Sequence, residues 1–511
     1  NAPYPLPTYL HLHLILRLRR TMSSRDPFGT AMAVTAVALL LAVISPKSCR
    51  GNSLLHVVAD DRRVIDMGAF GYDVNGVFEL SVRDLFLPVP SLVNANGTIV
   101  GREPLGFALL KVRSKWTARN DNELGNSEAS LDRTCFLNVT DLESSTADVP
   151  GTARFEYVMD VRGLALHSHM QFRRVIKQRG LYALFFFNCI GFGSGNATGA
   201  DTLLMPVGVT FTAETVQYNV DSLRGTIRNY LSLGDQSLPV VYGLATLTFV
   251  VMTALWLREC RQNRAHMFKI HYVMSLLVVT KTLSLFFETI KFSHYAATGQ
   301  PSVWDFFYYL FATSKAVMLF TVVLLLGTGW SFVKAYLNDS DRKVILGVII
   351  AQCVVNVLIG IVDESNEGSR YWANLTDILQ VLDVICCVIV LLPVIWSLRN
   401  YRTASDTDGK QIQTLSRTRQ FRNLYIAILA YIYLTRIVAV MIEQSVDFRY
   451  TWCAKILREG IAVGFYGFVG SKFRPQSDNP YLHLDDEDMV ELRQRRDVGI
   501  DGDAGSAASV V

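Results

Sequence analysis

Eight ionisable residues lie inside stretches otherwise too apolar for a solvated surface: Lys281, Glu288, Lys315, Asp383, Arg436, Lys455, Arg458 and Glu459. A charge at membrane depth costs several kcal/mol unless it faces protein or water, so each marks a candidate site. Lys281 and Glu288 are seven residues apart and share one helical face. Lys455, Arg458 and Glu459 fall within little more than one turn. Both signs recur on several segments. That pattern predicts a polar cavity open toward the luminal leaflet, able to hold a lipid headgroup, an ion or a small polar ligand. Interhelical salt bridges that fix packing are the alternative reading. No His/Asp/Ser arrangement and no metal-ligand spacing accompanies these charges, so neither catalysis nor a cofactor is expected.

Other suggestive motifs carry less. Gly191-Phe-Gly193-Ser-Gly195 lacks nucleotide-binding spacing and runs into a glycosylation sequon, so it reads as a strand connection. His167-Ser-His169 has no third ligand nearby and reads as loop histidines. Arg493-Gln-Arg495-Arg496 has the look of a processing site but falls in a segment expected in the cytosol.

The elements that must position the eight charges are seven apolar runs: Leu238–Leu257, Ile270–Ile290, Val303–Trp330, Val344–Val362, Ile378–Leu398, Leu424–Ile442 and Trp452–Gly470. A helix needs ~20 mostly apolar residues to cross the hydrocarbon core, and without water its backbone must bond to itself. The first, third and fifth connections are basic, with Arg258, Arg261, Arg264 and Lys269, then Lys334, Arg342 and Lys343, then Arg399, Arg402, Lys410, Arg417, Arg419 and Arg422. The even connections hold only Lys291, Arg370 and Arg449 beside Asp363, Glu364, Glu367, Glu443 and Asp447. Basic short loops stay cytosolic. The segment before the first helix is therefore expected in the lumen and the tail in the cytosol. The modest net charge of +4 is accounted for by these loops and needs no nucleic-acid partner.

Residues 1–21 read as upstream or non-native leader sequence. Residues 22–50 read as a signal peptide, with Arg25 ahead of the apolar run Ala31–Ile44. Residues 51–237 form the luminal domain. Short alternating runs at Leu54–Val58, Val77–Val82, Phe107–Val112, Phe136–Val139, Arg154–Val158, Leu181–Asn188 and Val207–Thr212, parted by Gly, Pro, Asn and Asp, predict two packed antiparallel sheets. Asn96, Asn138 and Asn196 open N-glycosylation sequons; Asn374 lies near the membrane and Asn338 on the cytosolic side. Of 8 cysteines, Cys135 and Cys189 alone lie well inside this segment, and an oxidising lumen makes them candidate disulfide partners, with two unpaired cysteines as the alternative. Residues 471–511 are a polar tail. Tyr481-Leu-His-Leu484 has the Tyr-x-x-apolar form that clathrin adaptors capture, and Asp485-Asp486-Glu487-Asp488 follows it.

These residues resemble the lung seven-transmembrane receptor family and its branch of G-protein-coupled-receptor-like proteins. The resemblance rests on Gly180-Leu-Tyr-Ala-Leu-Phe-Phe-Phe-Asn-Cys189, Tyr230-Leu-Ser-Leu-Gly-Asp-Gln-Ser-Leu-Pro239, Lys281-Thr-Leu-Ser284, Leu326-Gly-Thr-Gly-Trp-Ser-Phe332 and Lys472-Phe-Arg-Pro-Gln-Ser-Asp-Asn-Pro-Tyr-Leu482. It implies a Golgi-dynamics-type β-sandwich before a seven-helix bundle, residence in the Golgi and trans-Golgi network, and roles in membrane trafficking and receptor recycling. It also implies a Cys135–Cys189 bridge, a peptide or protein partner in the lumen, and lipid in the bundle cavity. G-protein coupling draws no support from the residues: the third helix ends in Trp330-Ser-Phe-Val-Lys334 without an Asp-Arg-Tyr switch, and Asn479-Pro480 lies beyond the last helix.

Overall fold

The computed structural model describes residues 52–87, 105–112, 154–160, 169–188, 208–220, 227–327 and 423–475 without 425, with helical positions at 347, 350–351, 354–362, 375, 378–379, 381–383 and 385–386 and a turn at 368. Among the described residues nine strands come first: β1 (Asn52–Asp60), β2 (Val64–Tyr72), β3 (Val77–Phe86), β4 (Leu105–Val112), β5 (Arg154–Asp160), β6 (Met170–Val175), β7 (Gly180–Asn188), β8 (Val209–Val220) and β9 (Arg228–Asn229). They make two antiparallel sheets. One has the order β1-β8-β3-β6, with β9 on β8; the other has the order β2-β7-β4-β5.

The strands alternate as a half-buried sheet requires. In β8, Val209, Phe211 and Ala213 point inward while Thr210, Thr212 and Glu214 face out. Phe211 reaches the opposite sheet, 4.5 Å from the Phe186 ring and 5.7 Å from Phe107. Phe78, Leu80, Val82, Leu109, Tyr182 and Leu184 complete this core. Here β4 and β7 depart from alternation, for β7 is buried at every position. Their other face, Leu110, Leu181, Ala183, Phe185 and Phe187, forms a second apolar cluster that receives Phe448 from between the last two helices.

Three strands were not legible as strands, the two-residue β9 among them. In β2, Gly68 at φ 101° breaks the alternation, and the register slips between Asp66 and Ala69. In β6 an exposed edge strand carries Gln171, Arg173 and Arg174 and shows little apolar signal. The expected strand Phe136–Val139 lies outside the described residues, as do Cys135, Cys189, Asn96, Asn138, Asn196, Tyr481 and Leu484.

Helices follow: α1 (Leu238–Gln262), α2 (Lys269–Thr298) and α3 (Val303–Gly327). All three contain spans long and apolar enough to cross a membrane, Leu238–Gln262, Ile270–Thr298 and Val303–Val323. Their ends are chemically marked. Pro239 opens α1, and Gly299 closes α2 in the left-handed region at φ 66°. Ser302 and Asp305 form a capping box at the start of α3: the Asp305 carboxylate accepts from the Ser302 amide at 2.9 Å, and the Ser302 hydroxyl accepts from the Trp304 amide at 3.3 Å. Hydroxyls join α1 to α2 at Thr246–Thr289 (3.3 Å), Thr253–Thr282 (2.8 Å) and Trp256–Ser275 (2.9 Å). In lipid such side chains find partners across helices or on their own backbone. Residues 426–433 run into a wide π turn, Leu434–Val438, and then α4 (Ala439–Ser445). Last comes α5 (Thr451–Lys472).

The sandwich is bonded to the helices directly. The Gly71 carbonyl in β2 accepts from the Leu233 amide at 2.9 Å and from Asn219 Nδ2 at 3.1 Å, and the Gly71 amide donates to Ser232 Oγ at 3.0 Å. On the helix side, the Tyr230 amide donates to the Ala296 carbonyl at 3.1 Å, and Thr451 Oγ1 donates to the Gly234 carbonyl at 3.0 Å. Arg62, chelated by Asp60 at 2.7 Å, donates through Nη2 to the Gly368 carbonyl at 2.8 Å. Gly234 is obligatory, since a Cβ there would overlap the Phe448 carbonyl and the Thr451 hydroxyl.

Gly234→Ala should therefore cost about 1–3 kcal/mol by overpacking. Thermal melts of the purified full chain should show a clear fall in Tm. Gly460→Ala in α5, where a Cβ meets nothing within 4 Å, should leave Tm unchanged or raised through helix propensity. Equal behaviour of the two variants would show that the junction is loose.

Candidate functional site

The predicted charges on α2 and α5 converge inside the bundle. Lys281 and Glu288 project from one face of α2 with Ser284 between them, and all three are buried. Lys281 Nζ meets Glu459 Oε2 of α5 at 2.6 Å, with both side chains almost fully enclosed. The same ammonium lies 5.2 Å from the centre of the Phe249 ring on α1. Glu288 hydrogen-bonds to the Tyr242 hydroxyl of α1 and lies within electrostatic reach of Lys281, Lys315 on α3 and Glu459. Two carboxylates and two ammonium groups from three helices thus form one neutral cluster.

The remaining predicted residues go elsewhere. Lys455 pairs with Glu443 of α4 at 2.7 Å, and Arg458 reaches the same carboxylate at 3.5 Å. The run Lys455-Arg458-Glu459 is thereby split. Its acidic member reaches α2 and its basic members reach α4, although Lys455 and Glu459, four residues apart, share one side of α5. Asp383 is buried on the helical stretch 381–383. Arg436 lies in the π turn, and the description there extends to its backbone alone.

Three participants were missed as site residues. Glu443 was read as part of a loop, because the apolar run ends at Ile442 while α4 continues to Ser445. Lys291 was assigned to a connection for the same reason, although α2 runs on to Thr298. It is buried, donates to the Tyr309 hydroxyl at 2.8 Å and lies 4.3–5.4 Å from the ring centres of Tyr309, Tyr308 and Tyr295. Tyr242 gave no signal beyond being a polar-tipped aromatic in an apolar run. The Tyr-rich opening of α3 was the one readable hint for the Lys291 cage.

Within the cluster, Ser284 Oγ is wholly enclosed and has no hydrogen-bond partner among the described residues. The arrangement is chemically an electrostatic brace. Among the described residues no group of His, Cys, Asp and Glu could hold a metal ion.

A second polar arrangement closes the other end of the bundle. His271, fully buried at the start of α2, accepts at Nδ1 from the Phe268 amide at 2.9 Å. Its proton must then sit on Nε2, which donates to the Phe473 carbonyl at 3.1 Å. Next in the chain, Arg474 grips Glu259 of α1 with two bonds, Nε to Oε2 at 3.0 Å. The chain leaving α5 is therefore fixed to α1 and α2 at its first two residues.

A two-sheet domain bonded to a polytopic helical bundle, with paired charges threaded through the bundle, defines a multi-pass membrane protein with an extramembrane β domain. Residues 237–480 match the family model described as GOST, seven transmembrane domain. That stretch is similar to this seven-transmembrane family, which bears out the resemblance read from the motifs. Over 312 residues it is 29% identical to the protein named Candidate G-protein coupled receptor 6 of Arabidopsis thaliana, covering 61% of this chain and 69% of that one.

Removing one partner of the buried pair leaves the other charged in a low-dielectric interior. Lys281→Met and Glu459→Gln should each cost about 3–5 kcal/mol. The double variant should lose less than the sum, giving a coupling of about 1–3 kcal/mol in a double-mutant cycle read by thermal melts. Additive losses would mean that the 2.6 Å contact does not bear on stability.

Proposed function

We propose that this protein is a Golgi and trans-Golgi-network membrane protein acting in membrane trafficking and in receptor or cargo recycling. Its β-sandwich binds a protein or peptide partner in the lumen, and its tail engages clathrin-adaptor-type sorting machinery through Tyr481 and Leu484. The observation that carries this reading is the way α5 is tied at both ends. Thr451 is bonded to Gly234 beneath the sandwich, and Phe473 and Arg474 are locked to α2 and α1 just before the tail. A 22-residue helix is about 33 Å long. One rigid rod therefore links the partner-binding module to the start of the sorting peptide. The basic first, third and fifth connections support the orientation.

The G-protein-coupled reading is favoured by one observation, the name of the Arabidopsis relative. Against it stand Trp330-Ser-Phe-Val-Lys334 in place of an Asp-Arg-Tyr switch, and Asn479-Pro480 outside the bundle. An ion or lipid conduit through the charged cluster is a weaker reading, because Lys281 is already committed to Glu459.

Tyr481→Ala with Leu484→Ala, expressed at low level and imaged against Golgi and plasma-membrane markers, should shift steady-state distribution severalfold toward the cell surface. An unchanged distribution removes the tail from the mechanism. Orientation is read separately: in sealed vesicles, glycans at Asn138 should be protected while an epitope at Asp488 is digested. Both on one side would overturn the topology.

A further inference from the structure

The connection between α1 and α2 carries charge that the site described above does not use. Arg258, Arg261, Arg264 and His266 are all exposed, on the last turns of α1 and the short 3-10 turn Arg264–His266. Glu259, the carboxylate next to Arg258 in the chain, is already gripped by Arg474. Among the described residues neither Arg261 nor Arg264 has an ion-pair partner. The loop is held rigidly at both ends. Cys260 is buried against Ser275, and His271 is enclosed and bonded on both ring nitrogens.

The surface leading to this loop is equally specific. Val240, Leu244, Leu247, Val251 and Leu255 occupy one stripe of α1 at helical spacing, and each is more than half exposed. The stripe continues into Arg258 at the next turn. From Val240 to Arg258 is 18 residues, about 27 Å of helix, close to the ~30 Å hydrocarbon thickness. Arg258 thus stands where acyl chain gives way to headgroup, with Arg261 and Arg264 beyond it.

We propose that Arg258, Arg261 and Arg264 form a binding site for the headgroup of a multiply phosphorylated inositol phospholipid in the leaflet they face, its acyl chains lying along the Val251–Leu255 stripe. Guanidinium groups offer paired donors that match phosphate oxygens. Three of them at the end of α1 and the anchored turn after it concentrate positive charge beyond what a singly charged headgroup would call for. The reading that the leaflet is cytosolic rests on the orientation proposed above. The binding itself does not.

The test uses detergent-purified full chain, in which both faces are open, titrated with dioctanoyl phosphatidylinositol bisphosphate, phosphatidylserine or phosphatidylcholine and read by native mass spectrometry. The phosphoinositide should bind at least tenfold more tightly than phosphatidylserine, and phosphatidylcholine should not compete. Arg261→Gln with Arg264→Gln, both exposed and outside the core, should lower phosphoinositide affinity about tenfold or more while leaving the melting temperature unchanged. Equal binding of the two anionic lipids, or unaltered affinity in the variant, would overturn the site. Either failure would leave the orientation standing, since that is decided by protection in sealed vesicles.

Discussion

Lys281 and Glu459 meet where protein encloses both side chains almost fully, and the bundle's core arrangement follows from that. An isolated ammonium or carboxylate there would be neutralised or expelled, so the two must be brought within hydrogen-bond reach by separate helices. Their 2.6 Å contact holds α5 against α2. Glu288, Tyr242 and Lys315 add α1 and α3 to the same cluster. Apolar packing in lipid lacks the drive it has in water, and polar contacts and close fit take its place. The aromatic seam around it, with Phe249 against Tyr466 and Tyr431 stacked on Phe465 at 4.2 Å, then excludes alternatives to that pairing.

The outer domain answers the opposite requirement. A sheet in water needs one wet face, yet β7 is dry on both. One face closes the sandwich core around Phe107, Phe186 and Phe211. The other takes Phe448, which belongs to the helical half of the chain. The sandwich and the bundle therefore share part of a core, and Gly71, Gly234 and Gly299 appear where the Ser232 hydroxyl, the Phe448 carbonyl and the Tyr230 ring leave no room for a Cβ.

Much of this was legible beforehand. Apolar length announces a membrane helix, so α1, α2, α3 and α5 begin where the apolar runs begin, to within a residue or so. Hydropathy says nothing about where a helix stops once it has left the hydrocarbon. For that reason Lys291 and Glu443 were assigned to connections although both extend helices and pair within the bundle. The strand β7 was readable from its unbroken apolar run, and β2 was not, because Gly68 and its bulge erase the period of two. Charge positions along the chain marked Lys281, Glu288, Lys315 and Glu459 but not their partners. Which of Lys455, Arg458 and Glu459 turns inward depends on helix rotation, a quantity no spacing rule supplies without the neighbours.

The wide turn at Leu434–Val438 has an angular consequence. Tyr431 and Glu443, on either side of it, both address α5, one by stacking on Phe465 and the other by pairing with Lys455. Twelve residues of regular helix would place them about 120° apart. One extra residue absorbed in the π turn brings the separation to about 20°. The insertion works as a phase corrector: it lets an aromatic contact deep in the bundle and an ionic contact near its rim belong to a single seam.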